Sequence, residues 1–320
     1  MALKLPPLDA RIPQWNLDDL IERTCPICDV YDEKTEYERP DHLTIRECTR
    51  CGTFFVCPSP SGEQLQAFYE SYDQSHRPAP PIKPERLAAS YDNADPFGDI
   101  RIRELSSLAN IRGSRVLDIG FGRCHFLYRL KKLGAIPFGL ELDTKAIEFA
   151  RSLGIEVFQE NITEFVSDTK FDIVALLDFV EHPLNPMDVL RKSSELLVPG
   201  GLLVIWTPNG HYSTLDKELT TFRVDLDHMQ YLTSNSCHFI ASELNLHVVH
   251  LETLGFPALE GIDRPLSGKN TPVEVLGQFI KAIPGFSLLN NLRHELLGHK
   301  QDERRGSYHL FCILQKPGQV

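Results

Sequence analysis

The 320-residue chain has no apolar run long enough to cross a bilayer, and Met1 to Trp15 carry no apolar signal core. Bases are in the minority, 33 against 44 acids, for a formal net charge of −11. A broad nucleic-acid surface needs clustered Lys and Arg, so none is expected. These absences lead us to expect a cytoplasmic protein with no transmembrane segment and no nucleic-acid partner. Disulfides are not expected in that compartment, so the eight cysteines read as metal ligands or free thiols. The length allows one large domain with an appendage.

What is present is organised around Val116 to Phe126, VLDIGFGRCHF. The apolar run Val116-Leu117-Asp118-Ile119 stops at Gly120-Phe121-Gly122. A helical pattern then begins, with Phe126, Leu127 and Leu130 on one side. This is a strand, a tight turn and a helix. Glycines at 120 and 122 allow the backbone to turn sharply and approach a ligand. Asp118 sits at the strand's carboxyl end, where open α/β sheets bind ligands. A second strand, Ile136 to Leu140, ends in Glu141, twenty-three residues after Asp118. An acid there can accept both hydroxyls of a ribose. A dinucleotide turn would have glycine at position 125, which is His. The alternative is a β-turn-α packing unit with no ligand.

This stretch resembles the cofactor-binding core of class I S-adenosylmethionine (SAM) methyltransferases. That family's signature is an acid, one residue, then Gly-x-Gly-x-Gly; here the third glycine is Cys124. The resemblance implies a Rossmann-like α/β fold with a seven-stranded sheet. It also implies SAM contacts from Asp118, Gly120, Phe121, Gly122, Glu141 and Leu142. Asn161 and Ile162, after the third strand, match the family positions facing the adenine; Asn161 could equally be a turn residue. Asp178-Phe179-Val180-Glu181-His182 follows a fourth strand, Phe171 to Leu177. It matches the family's fourth motif, where Asp178 lies close to the methionine part of SAM and to the acceptor. Pro199-Gly200-Gly201 before a fifth strand is a further family feature.

Methyl transfer from a sulfonium needs acceptor and methyl held in line. An acceptor hydroxyl must also lose a proton. His182, beside Glu181, is the first candidate base and His228 the second, because imidazole titrates near neutrality. A structural role for either His is the alternative. If residues 178–182 formed a helical turn, Asp178, Glu181 and His182 would project to one side. With His228 they would make a set for a second divalent cation.

Upstream, Cys25-Pro26-Ile27-Cys28 and Cys48-Thr49-Arg50-Cys51 are separated by nineteen residues. Two CxxC knuckles at that spacing complete a tetrahedron around a structural zinc. No thioredoxin-like βαβ pattern surrounds them, which argues against redox use. The continuation through Pro58, Pro60, Leu65 and Phe68-Tyr69 resembles the zinc ribbon preceding the methyltransferase core in many bacterial enzymes. Some of those enzymes act on nucleotide sugars or other small molecules.

The expected organisation is a zinc-ribbon domain at 1–75, a linker at 76–99 that is proline-rich over 76–84, and the methyltransferase domain at 100–320, with a helical pattern over 85–110. A helical insertion at 256–307, with helices at 273–283 and 286–297, could cover the acceptor site. Its apolar face reads either as packing on the core or as a homodimer contact. The expected activity is methyl transfer to a small-molecule or glycan acceptor, at oxygen first and carbon next. One rival is an RNA or protein methyltransferase docking through the ribbon, supported by Lys34, Arg39, Arg46 and Arg50. Another is a SAM-binding module without catalysis, supported by Cys124.

Overall fold

The computed structural model describes residues 12–31, 33–70, 84–215, 221–224, 226–254 and 308–318. The expected 256–307 insertion lies outside the described residues, as does the segment 76–83 of the expected linker. In chain order the first strands are β1 (Leu20–Ile21), β2 (Glu33–Glu38), β3 (Thr44–Cys48), β4 (Phe54–Val56) and β5 (Ser59–Pro60). Next come β6 (Arg115–Ile119), β7 (Ile136–Leu140), β8 (Glu156–Phe158), β9 (Phe171–Leu177) and β10 (Leu197–Pro208). The last are β11 (Gln230–Tyr231), β12 (His247–Leu254) and β13 (His309–Gln315).

Seven of them form one sheet in the order β12-β13-β10-β9-β6-β7-β8. Strands β6 to β10 pair in parallel, and β13 runs antiparallel between β10 and β12. Strand β6 lies between β7 and β9, so the chain reverses its direction of spread there. A crevice therefore opens at the carboxyl ends of these strands. Both faces are covered. Along β9, Val174 and Leu176 enter one apolar layer, while Ile173 and Ala175 enter the other. That is the two-sided burial of a parallel sheet with helices on each face. No helix among the described residues is long and apolar enough to cross a membrane.

The N-terminal strands form a second, four-stranded sheet in the order β11-β4-β3-β2. Its edge strand β11 comes from residues 230–231, far beyond the boundary expected at residue 75. Gln230 pairs with Phe55 and Tyr231 with Phe54. Phe54, Val56, Leu65, Phe222, Met229 and Tyr231 share one apolar cluster. The two units are thus joined through a common sheet and a common core.

The helical pattern expected over 85–110 is present in the structure but broken near residue 95, with its last helix at Ile100–Leu108. Pro84–Asn93 is a helix, and Pro96–Gly98 is a single 3₁₀ turn capped by Asp95. Proline at the first helical position starts a helix as readily as it marks a linker. Tyr91 anchors this one: it is buried, and its hydroxyl donates to the Arg123 carbonyl at 2.7 Å.

Candidate functional site

The turn after β6 is strained towards left-handed backbone. Gly120 and Gly122 have φ of +70° and +49°, and Cys124 has φ of +62°. A Cβ on Gly120 would lie 2.4 Å from Cδ2 of Phe179. Cys124 stands where the family has its third glycine, and it is fully buried at the N-cap of the helix His125–Lys132. Its side chain is small enough for the turn to close as expected. Phe121 packs on the second strand: a Cβ on Gly139 would lie 2.3 Å from its ring. It is a packing residue with little surface for a ligand.

Glu141 ties the first two strand ends together. Its Oε2 accepts from the Gly122 amide at 3.0 Å, and its Oε1 accepts from the Leu142 and Asp143 amides at 2.7 and 3.2 Å. The carboxylate is thereby fixed at the crevice mouth. Leu142 is 60 % exposed beside it. Ile162, expected against the adenine, is instead buried in the core. Leu142 is the apolar side chain left open here. Asn161 is exposed, and its Oδ1 accepts from the amide and hydroxyl of Thr163, each at 3.1 Å. That is a turn-forming role for its oxygen.

Asp118 is buried, and among the described residues its Oδ1 has no hydrogen-bond partner. Burial pushes its carboxyl up to about 8, against the pull of Arg101 and with help from Glu141 and Asp178. A buried carboxyl with an orphaned oxygen is suited to a cationic ligand group. Arg101, unrecognised in the sequence beyond its helical setting, sits across from it. Its guanidinium forks onto Asp99 at 2.9 and 2.7 Å and lies 5.2 Å from the Trp206 ring centroid. Asp99, Arg101, His125, Arg129, Asp178 and Trp206 line a cavity of about 460 Å³.

On the other side of the crevice, residues 178–182 are a loop. Asp178 has φ of +50°, and the His182 amide donates to the Phe179 carbonyl at 3.1 Å. The expected helical turn is absent, because a left-handed residue breaks the helical path at its start. Glu181, His182 and His228 nevertheless converge: one ligand atom from each lies within 4.8 Å of the others. Asp178 is outside that group. Glu181 is fully buried; its Oε2 accepts from the Thr207 hydroxyl at 2.9 Å and its Oε1 has no partner among the described residues. Burial pushes it up to about 8, opposed by His182 and aided by Asp178.

Nδ1 of His182 lies 3.3 Å from Oδ2 of Asp227 and 3.0 Å from the Tyr69 hydroxyl. Burial alone would raise Asp227, but the His182 imidazole and its hydrogen bond hold it well below the usual carboxylate range. Nδ1 of His182 is thus engaged by both Asp227 and Tyr69. The His228 ring meets His182 edge to face at 4.8 Å between centroids. Burial, His182 and Arg39 pull His228 down to about 3, with Asp227 opposing, so it is neutral at pH 7. The sequence marked Tyr69 only as part of the ribbon's helix and gave no signal for Asp227. Their role comes from contacts across 45 and 113 positions.

The four cysteines meet as the spacing requires. All are buried; Sγ of Cys25 lies 3.5 Å from that of Cys51, and Sγ of Cys28 lies 3.4 Å from that of Cys48. Zn–S bonds of about 2.3 Å imply tetrahedral edges of about 3.8 Å, so the cluster needs little adjustment to close on zinc.

Residues 93–251 match the family model described as a methyltransferase domain. The chain is 26% identical over 170 residues to the ubiquinone biosynthesis O-methyltransferase of Actinobacillus pleuropneumoniae, covering 46% of this chain and 69% of that protein. It is 33% identical over 141 residues to the enzyme of the same name from Chelativorans sp., covering 42% of this chain and 54% of that protein. The matched region thus spans between about half and two thirds of these relatives' own length. A solved SAM-dependent methyltransferase from Archaeoglobus fulgidus aligns with a TM-score of 0.47 at 20% identity, covering 73% of this chain and all of that one.

Proposed function

Residues 93–251 are a class I SAM-dependent methyltransferase domain, and from that premise we propose that the chain methylates a hydroxyl of a small molecule. SAM supplies an electrophilic methyl group on a sulfonium. The glycine turn and Glu141 hold its nucleoside end, with the carboxylate taking the ribose hydroxyls. Asp118, with its orphaned oxygen, receives the ammonium of the amino-acid end, and Arg101 on the cavity wall receives the carboxylate. Phe179 and Asp178 lie between this half and the acceptor.

His182 is the general base. Its Nε2 takes the hydroxyl proton as the acceptor oxygen attacks the methyl carbon and the carbon–sulfur bond breaks. Asp227 orients the ring and stabilises the imidazolium, as the acid does in other His–Asp pairs. A positioned base of this kind contributes about 10²–10⁴-fold. His228 and Tyr231 form the buried wall behind it. The single observation that carries this reading is the His182–Asp227 pair facing the SAM crevice. The O-methyltransferase names of the relatives agree with it. Three of the basic residues that would favour an RNA acceptor are engaged elsewhere: Arg39 is buried, Arg46 pairs with Glu22 and Glu36, and Arg50 covers Phe239.

We assign zinc to Cys25, Cys28, Cys48 and Cys51 as a structural ion, since four thiolates leave no open position. A second reading has its own observation, the convergence of Glu181, His182 and His228. A divalent cation there would lower the acceptor hydroxyl's pKa. A carboxylate on the far nitrogen, as Asp227 is on His182, also suits a metal ligand. Loss of activity on dialysis against chelator, restored by Mg²⁺ alone, would favour it.

The test is transfer from methyl-labelled SAM into an extract of the source cells, fractionated into small molecules, glycans, RNA and protein. Label in small molecules, with one zinc per chain by atomic emission, is the expected result. Label in RNA or protein overturns the acceptor class. SAM binding with no label in any fraction favours a binding module.

A further inference from the structure

The acceptor side of the crevice carries a buried charge that the chemistry above does not use. Arg39 lies in the turn between β2 and β3, and its side chain and that of Asp41 are both fully buried. Its Nε and Nη2 donate to the Asp41 carboxylate at 3.0 and 2.6 Å, and the Trp15 indole donates to the same carboxylate at 2.8 Å. The remaining N–H groups cross to the methyltransferase domain. Nη1 donates to the His228 carbonyl at 2.6 Å and to the Tyr231 hydroxyl at 3.4 Å, and Nη2 donates to the Leu226 carbonyl. The two carbonyls bracket Asp227.

A buried ion pair is weak as a source of stability, because desolvation offsets most of the attraction. What a guanidinium offers is a rigid planar fork that fixes several acceptors at once. Here the acceptors are the backbone of the segment presenting Asp227 and His228. The same segment is held on its other edges. The Val56 amide donates to the Met229 carbonyl at 2.9 Å, and the Met229 amide donates to the Glu181 carbonyl at 2.8 Å. Gln230 Nε2 donates to the Val180 and Pro183 carbonyls at 2.7 and 2.8 Å, and Arg23 reaches the Leu184 carbonyl at 2.7 Å. The N-terminal unit therefore grips both loops that carry acceptor-side groups, while Asp118 to Asp143 form their own contacts.

We propose that Arg39 is a positioning residue for the transfer reaction, through which the N-terminal unit sets the 226–231 segment and so the distance from Asp227 to His182. This rests on the reading of His182 and Asp227 as the proton-handling pair. It makes the N-terminal unit part of the acceptor half of the active site.

The test uses the full chain as Arg39→Lys, Arg39→Met and Arg39→Met with Asp41→Leu; the last leaves no lone buried carboxylate and so guards against simple misfolding. Three quantities are read: SAM affinity by calorimetry, amide hydrogen exchange by segment, and turnover at saturating SAM into the labelled extract fraction. The proposal expects SAM affinity within about twofold of the parent chain in every variant. It expects exchange across 226–233 to rise at least tenfold with that of 116–141 unchanged, and turnover to fall about a hundredfold with the KM for SAM unchanged. Lysine, lacking the fork, should restore neither. Exchange that rises equally across both segments, or turnover retained in the double variant, overturns it. If the parent chain labels no fraction, the acceptor reading fails by itself, and the exchange pattern still decides the role of Arg39.

Discussion

The two walls of the crevice are built in opposite ways. On the cofactor wall the side-chain hydrogen bonds named above are short-range, Gly122 to Glu141 across 19 positions and Arg101 to Asp99 across two, although Phe179 and Trp206 pack in from farther along the chain. On the acceptor wall Tyr69 meets His182 across 113 positions and Arg39 meets the His228 carbonyl across 189. A wall closed by short loops is assembled by its own local geometry. A wall closed over such spans exists only once the whole chain has folded, since closing long loops costs entropy that only the completed packing offsets. Damage to one wall should therefore leave the other working.

The largest break expected in this comparison is Gly120→Val. Its Cβ would fall 2.4 Å from the Phe179 ring at a φ of +70°, which a β-branched residue resists. SAM affinity should fall at least about a hundredfold. The counterpart on the other wall is His182→Ala. Turnover should drop about 10²–10⁴-fold while SAM affinity stays within about twofold. Calorimetry on both variants decides: normal SAM binding in Gly120→Val would remove the cofactor assignment, and full turnover in His182→Ala would remove the base.

A smaller effect sharpens the electrostatic side. Asp118 has a folded-state pKa near 8, above the ordinary carboxylate range. A raised value favours the neutral form in the fold. Its contribution to stability is complete below about pH 4 and is lost as pH rises towards 8, with a slope of at most about 1.4 kcal/mol per pH unit. Asp118→Asn should remove that decline in part, because Glu181 supplies a second one of the same sign. A bound ammonium draws Asp118 back to its charged form. SAM binding at pH 7 should then release close to one proton, and the Asn variant should release fewer. Calorimetry in two buffers of different ionisation enthalpy reads this directly, and equal release by both proteins would place the ammonium elsewhere.

The smallest effect expected is that of Cys124→Gly. Glycine relieves left-handed backbone by roughly 1–2 kcal/mol but loses a buried side chain of similar worth. Stability should change by less than about 1 kcal/mol and SAM affinity by less than about threefold. A tenfold gain in affinity would mean that Cys124 narrows the loop and would support the binding-module reading.

The sequence showed the strand, the glycine turn, Glu141 and the cysteine pairs because each depends on residues close together or on a fixed spacing. It named His182 and His228 as alternative bases and as members of one candidate cation set, and the fold brought them to 4.8 Å between ring centroids. It left open a helical turn at 178–182, since spacing alone does not reveal the positive φ at Asp178. Arg39 looked like a surface base suited to RNA and is instead buried against backbone carbonyls. Ile162 looked like a platform for a ring and lies inside the core. Burial depends on what the rest of the chain places above a residue, and a local pattern does not carry that.

By itself, then, the sequence determined the α/β architecture, the strand-turn-helix at its glycine turn and the four thiols that can close on a metal. Periodicity, backbone freedom and ligand spacing are properties of adjacent residues. Only the tertiary structure decided that β11 would complete the N-terminal sheet, that Asp227 would lie against His182, and that Arg39 would bond the carbonyls on either side of Asp227. Those facts rest on contacts between residues far apart in the chain, where packing and desolvation of the finished fold choose the partner.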